Sequence, residues 1–292
     1  MTMTRHLAVG LDGSEENLAA ARWAADEAAR CGLPLHLVYA SAGLPPDAFG
    51  RAERASPRHW PGRILRDTAE ELARLHPELK VVKVLEPRAP QYALLDVAKA
   101  AEFLVIGTNA PGALGGCIAG AMSLLIAARA RRPVVLVRAG GDGAAGAAGP
   151  YGRPADADGE TVLALDPTHA PGGVLAFAFA FAARRAGTLR VVHTWRYPYG
   201  TSADVREKAG EAAENGVDEA LRPWRVAYPD VPVKVRVERG EAVPALLEAA
   251  TGASLVVVGR RVRRIPVGAR LGPVTHALIH RAPAPLAVVP HE

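Results

Sequence analysis

Residues 105 to 123, VIGTNAPGALGGCIAGAMS, run from a short apolar strand through a glycine-rich loop toward a helix. Chains use this arrangement to hold a phosphate. Backbone N–H groups at a helix N-terminus point at the anion, and glycine lets it come close. The segment has no lysine and no Gly-Lys-Ser, so it is not a Walker loop. Asp12 closes the apolar run HLAVGLD, where a carboxylate can meet a ligand or form the Asp-Gly-Ser turn that caps the next helix. His276 and His280 stand four apart on a predicted helix and offer two zinc ligands, but no third ligand or general-base glutamate accompanies them. An exposed pair is the plainer expectation. Cys117 has no basic neighbour in sequence to lower its thiol pKa. Arg260, Arg261, Arg263, Arg264 and Arg270 make RRVRRIPVGAR strongly basic. Guanidinium groups bind phosphate well, although a solvated basic loop is the simpler reading. Without interleaved aromatics or a known motif, nucleic-acid binding is not expected. No Gly-x-Ser-x-Gly elbow, kinase signature or positioned nucleophile and base is visible, so no catalytic residue is assigned.

The elements that would position these residues occur twice. HLAVGLDGSEENLAAARWAADEAARCGLPLHLVYAS aligns with TVLALDPTHAPGGVLAFAFAFAARRAGTLRVVHTWR. In each, an apolar strand ends in Asp and is followed by a turn, an alanine-rich helix, a glycine and a second apolar strand. Asp12 pairs with Asp166 at an offset of 154, Gly107 with Gly259 and Pro133 with Pro285 at 152. Three landmarks in one order indicate duplication of the whole half-chain. The segment between, AGGDGAAGAAGPYGRPADADG, is rich in Gly, Ala and Pro and lacks periodicity, as a linker does. The expected domains are therefore 1–139 and 160–292, joined by a flexible linker over 140–159.

Within the first half, short apolar strands are expected near His6–Leu11, Leu35–Ala40, Val81–Leu85, Leu104–Ile106 and Val134–Val137. Helices separate them. Ser14 can cap the first, with Glu15 and Glu16 at its positive end, and Gly32 stops it. Pro90 suits the first turn of a helix burying Leu94, Leu95 and Val97. Alternating β and α elements imply an open, doubly wound parallel sheet in each half, binding ligands at the carboxyl ends of its strands. Each apolar last strand, PVVLV and PLAVV, would otherwise be an exposed edge, so the halves are expected to pair as an intramolecular pseudo-dimer.

Composition fits this scheme. The 292 residues are 49% hydrophobic and 22% charged, with a formal charge of +5, which permits anionic partners without demanding them. The N-terminus MTMTRHLAVGLDGS lacks the apolar core of an export signal, and the run VLAFAFAFAA is about half of a membrane span. Two cysteines without Cys-x-x-Cys spacing suit a reducing compartment, so a cytoplasmic protein is expected.

The chain resembles a tandem member of the universal stress protein family. The resemblance rests on VGLDGS, LHLVYA, VIG, GAMS and RRPVVLVR in the first half, and on VLALD, LRVVHTW, LVVVG, GPVTHAL and APAPLAVV in the second. It implies two Rossmann-like, adenine-nucleotide-hydrolase-like α/β modules that pair through their last strands, within one chain or in a homo-oligomer. Nucleotide-binding members hold ATP with Gly-x-x-Gly, nine residues, then Gly-Ser or Gly-Thr, and the aspartate ending the first strand meets the nucleoside.

Carried over by position, the implied nucleotide site of the first half comprises Gly10, Asp12, Ala40, Gly107, Ala110, Gly112, Gly120, Ala121, Met122 and Ser123. Two of these depart from the motif: Ala110 replaces its second glycine, and Ala121 its hydroxyl residue. Ala40 is the position whose backbone meets adenine. In the second half the corresponding residues are Asp166, Gly259, Gly272 and Thr275, with Val262 and Pro273 at the altered positions. A phosphate held by backbone N–H groups tolerates alanine, whereas Pro273 removes a donor and Val262 resists positive φ. The resemblance thus implies a stress-response module that binds ATP, with Mg²⁺, weakly in its first half and has a degenerate second site. Two alternatives stay open: a ligand-free dimerisation or signalling scaffold, and a slow adenine-nucleotide hydrolase.

Overall fold

The computed structural model describes residues 5–42, 61–108, 117–138, 159–169, 171–197, 202–262 and 271–292. The chain divides into two compact units, Met1–Pro154 and Ala155–Glu292. Both are α/β, and every strand pairing within each is parallel.

In the first unit the strands are β1 (Leu7–Leu11), β2 (Leu35–Ala40), β3 (Val81–Glu86), β4 (Leu104–Thr108) and β5 (Val134–Arg138), in the order β3-β2-β1-β4-β5. Four helices alternate with them: α1 (Glu15–Cys31), α2 (Pro61–Leu75), α3 (Pro90–Ala100) and α4 (Cys117–Arg129). The chain winds outward from β1 to β3, then returns to β4 on the other side, which puts the topological switch point between β1 and β4. These two strands pair only at Ala8–Leu104 and Val9–Val105, whereas β4 and β5 stay paired through Thr108 and Arg138. The ladder thus gives out before the carboxyl ends of β1 and β4 and leaves a crevice there.

Local chemistry sets the first helix as its sequence demands. Ser14 is the N-cap and accepts from the Asn17 N–H, while Gly32 ends the helix at φ 62°, a left-handed conformation that glycine adopts without steric cost. Alanines at 20, 21, 24, 25 and 28 are fully buried and let α1 pack closely on the sheet. In α3 the buried face is narrower than expected. Pro90 starts the helix, but Ala93, Leu94 and Ala98 are buried, and Leu95 and Val97 stay half-exposed.

The second unit repeats the plan with β6 (Thr161–Ala164), β7 (Leu189–Trp195), β8 (Val233–Arg239), β9 (Leu255–Arg261) and β10 (Leu286–His291), ordered β8-β7-β6-β9-β10. Its helices are α5 (Gly172–Arg184), α6 (Ala203–Ala227), α7 (Ala242–Ala249) and α8 (Pro273–Arg281), preceded by a 3-10 turn at Pro167–His169. Strand β9 is longer than its counterpart β4 and carries two of the arginines expected in a solvated loop. Arg260 is buried at 7% exposure, and burial lowers its pKa, while Arg261 is exposed. Among the described residues no helix is long and apolar enough to cross a membrane.

Candidate functional site

At the carboxyl end of β1, exposed Asp12 uses Oδ1 to accept from the Ser14 N–H at 2.8 Å. The carboxylate thereby shapes the turn, while Ser14, not Asp12, caps α1. Its other oxygen has no protein partner among the described residues. Nearby Tyr39, opposite Leu11 in β2, has its phenol pKa raised, chiefly by burial and then by the Asp12 charge. Ala40 ends β2 half-buried, in register with Glu86. Gly10 is buried within β1 under α3, where an added Cβ would lie 3.2 Å from Leu94 Cδ2.

Across the crevice, Gly107 is tied on both sides. Its N–H donates to Asn17 Oδ1 at 2.8 Å, and its carbonyl accepts from Ser123 Oγ at 3.0 Å; both bonds are buried. Ser123, matched in sequence to a polar position beside the phosphate motif, is only 1% exposed and uses its hydroxyl to pin α4 to β4. The first turn of α1 presses so closely on Gly107 that a Cβ there would lie 2.5 Å from the Glu16 carbonyl carbon and 2.6 Å from the Asn17 nitrogen. Glycine is required here by close backbone approach, independently of any ligand.

The remaining motif residues fall on α4. Gly120 and Ala121 are its fourth and fifth residues, not the residues at which loop becomes helix. Only the first four N–H groups of an α-helix lack intrahelical acceptors, so the Ala121 amide is one that the helix itself uses. Ala121 is exposed and Met122 half-buried. Ala110 and Gly112 lie outside the described residues, as do Gly115, Gly116, Arg263, Arg264 and Arg270.

Counterparts in the second unit are arranged differently. Asp166 Oδ1 accepts from both the Thr168 N–H at 3.1 Å and its hydroxyl at 2.6 Å, and Oδ2 lies 3.3 Å from His169 Nδ1. Burial pushes the Asp166 carboxyl up, but the bonds from Thr168 and the His169 ring outweigh it, leaving the pKa below the ordinary range. Gly272 is the N-cap of α8 in extended geometry, with Pro273 in the first turn and Thr275 buried behind it. Gly259 faces side chains where Gly107 faces backbone: an added Cβ would meet His291 Nε2 at 2.9 Å and Val174 Cγ2 at 3.4 Å. His276 and His280 bring their rings to a centroid distance of 4.7 Å, and no group of three metal-ligating side chains occurs among the described residues.

These two crevices, each at the switch point of a β3-β2-β1-β4-β5 type of sheet, agree with the comparisons. The model of the universal stress protein family matches twice, over residues 3–138 and 160–290. The chain belongs to the universal stress protein family. A universal stress protein of Mycolicibacterium smegmatis is 32% identical over 294 residues, covering 96% of this chain and 95% of that one. Universal stress protein Rv2005c of Mycobacterium tuberculosis is 30% identical over 306 residues, covering 96% and 95%. Among solved structures, a universal stress protein from Archaeoglobus fulgidus superposes with a TM-score of 0.60 at 14% identity, covering 98% of both chains, which shows a shared fold.

Sequence reasoning missed Asn17 and Tyr39. The signal for Asn17 was available: an amide three residues after the Ser14 cap, in the first turn of a helix that points at the crevice. Its buried side chain gives a first prediction. Asn17→Ala leaves the buried Gly107 N–H unsatisfied, a loss of about 1–3 kcal/mol. Chemical denaturation should show a lower midpoint with an unchanged m-value. A midpoint equal to wild type would mean that water or backbone takes over the bond.

Proposed function

We propose that the first unit binds an adenine nucleotide, ATP with Mg²⁺ in the expected case, and that the second unit has lost the equivalent site. The carrying observation is the contrast between the two strand-end aspartates. Asp12 is exposed at the switch point with one carboxylate oxygen uncommitted among the described residues. The Asp166 carboxylate is spent on its own turn, both oxygens engaged by Thr168 and His169. A ribose hydroxyl can donate to the first without breaking protein bonds. Reaching the second would mean displacing them.

Calorimetric titration of the full chain with Mg-ATP should give a stoichiometry near one. Asp12→Asn should weaken binding by roughly tenfold or more, the worth of a hydrogen bond to a charged group. Asp166→Asn should leave it unchanged. Two equivalent sites, or loss on Asp166→Asn only, would reverse the assignment.

One observation favours a second reading, a ligand-free dimerisation or signalling scaffold. Both polar groups of Gly107 are already bonded within the protein, and the Ala121 amide falls inside α4, so the phosphate side of the crevice has fewer donors to offer. On that reading millimolar Mg-ATP leaves the melting temperature unmoved and the titration is silent.

A further inference from the structure

The carboxyl ends of β7 and β8 carry a cluster that the first unit does not repeat. Trp195 and Arg239 face each other in register as the last residues of these strands. By register and repeat spacing, the first unit has Ser41 and Pro87 at these places. Tyr197 follows β7, its ring centroid 5.8 Å from that of Trp195. Two guanidinium groups converge on this phenol. Arg239 lies 5.4 Å from the ring centroid and donates Nη1–H to the hydroxyl, and Arg206, from the first turn of α6, lies 5.7 Å away. Among the described residues neither Arg206 nor Arg239 meets a carboxylate. Their neighbour Arg196 does, lying 3.4 Å from Glu241 and donating to the Gly240 carbonyl.

Two converging arginines without a counter-anion cost electrostatic energy, which a bound dianion would relieve. Flat guanidinium forks match phosphate oxygens, and the first turn of α6 adds the positive end of its dipole. The Tyr197 hydroxyl can donate to the same anion, and its pKa is already lowered, first by the Arg206 bond and, against burial, by Arg239. The Trp195 ring, packed against α6 where a Cβ at Gly210 would lie 3.1 Å from it, gives the cluster a rigid apolar wall.

We propose that the second unit binds a small-molecule phosphate monoester at Arg206, Arg239 and Tyr197, beside Trp195. This site lies at the β7–β8 end of the sheet, away from the β6–β9 crevice that Asp166 borders. It gives the unit a ligand of its own, and it does not depend on nucleotide binding in the first unit.

Phenyl phosphate is the test probe, titrated into the full chain by calorimetry. Binding by the wild type is expected, with inorganic phosphate weaker because it lacks the ring that meets Trp195. Arg206→Gln and Arg239→Gln should each weaken phenyl phosphate by roughly tenfold or more, and the double variant should abolish binding. Tyr197→Phe, which keeps the aromatic packing, should cost several-fold. Arg196→Gln, which removes a neighbouring charge already paired with Glu241, should leave binding unchanged, which separates the two arginines from general positive charge. Melting curves of each variant confirm folding. A silent wild type at millimolar phenyl phosphate, or a folded double variant that binds as tightly as wild type, overturns the proposal.

Discussion

Gly107→Ala is expected to destabilise the first unit severely, and Gly259→Ala is not. The two glycines end equivalent apolar runs, VIG and VVVG, and in sequence they are interchangeable. Their surroundings differ in kind. A Cβ on Gly107 meets backbone, 2.5 Å from the Glu16 carbonyl carbon, so relief requires the first turn of α1 to move away from β4. That movement also breaks the Asn17 bond to the Gly107 N–H. Overpacking costs about 1–3 kcal/mol, and the orphaned buried amide adds about 1–3. The melting temperature should fall on the order of 10 °C. In Gly259→Ala the closest atoms belong to the His291 ring, a half-buried side chain that can rotate aside where backbone cannot. A shift of at most about 2 °C is expected. Gly240→Ala, with nothing within 4 Å of its Cβ, is a second control. Equal losses at 107 and 259 would show that α1 yields as easily as a side chain.

This contrast also marks where sequence reading stopped. Strand and helix placement was legible because it follows from apolar runs, caps and glycine stops: Ser14, Gly32 and Pro90 each do what their residue types demand. Duplication was legible through Asp12 and Asp166. The role of Gly107 was not, since a glycine needed for phosphate approach and one needed for helix approach look alike in a motif. Only the position of Glu16 and Asn17 separates them. Arg260 departs from the expected solvated loop for a related reason. A charged run reads as solvated loop, yet β9 continues through Arg261, paired with β10 to its end at His291, and carries Arg260 into a buried place. Pairing between distant strands decides such residues, and local composition carries no trace of it.

The two halves carry different side-chain arrangements on one plan. In the first, the strand-end carboxylate is open and the glycine is fixed by packing. In the second, the carboxylate is closed on Thr168 and His169, while positive charge gathers at the other end of the carboxyl edge, around Tyr197.

At the opposite, amino edge of the first sheet, His36 is expected to make stability fall as pH drops. His6 and His36 stack with ring centroids 3.8 Å apart and planes 15° from parallel. His6 is buried just before β1, and His36 is half-buried in β2. Burial, then the charge of His6, then Lys80 push the His36 pKa down from 6.5 to about 4. The folded chain therefore binds this proton only near pH 4, whereas the unfolded chain binds it near 6.5. Unfolding takes up a proton between those values, so stability is full above about 6.5 and declines as pH falls toward 4. The decline attributable to His36 is on the order of 1–3 kcal/mol, allowing for solvent screening of a half-buried ring. His36→Phe keeps an aromatic ring against His6 but cannot take the proton. Its melting temperature should match wild type near pH 7.5 and exceed it increasingly from pH 6 to 4.5. If the wild-type and His36→Phe curves run parallel across that range, the proton is not excluded by the fold and the stacked pair has no part in acid sensitivity.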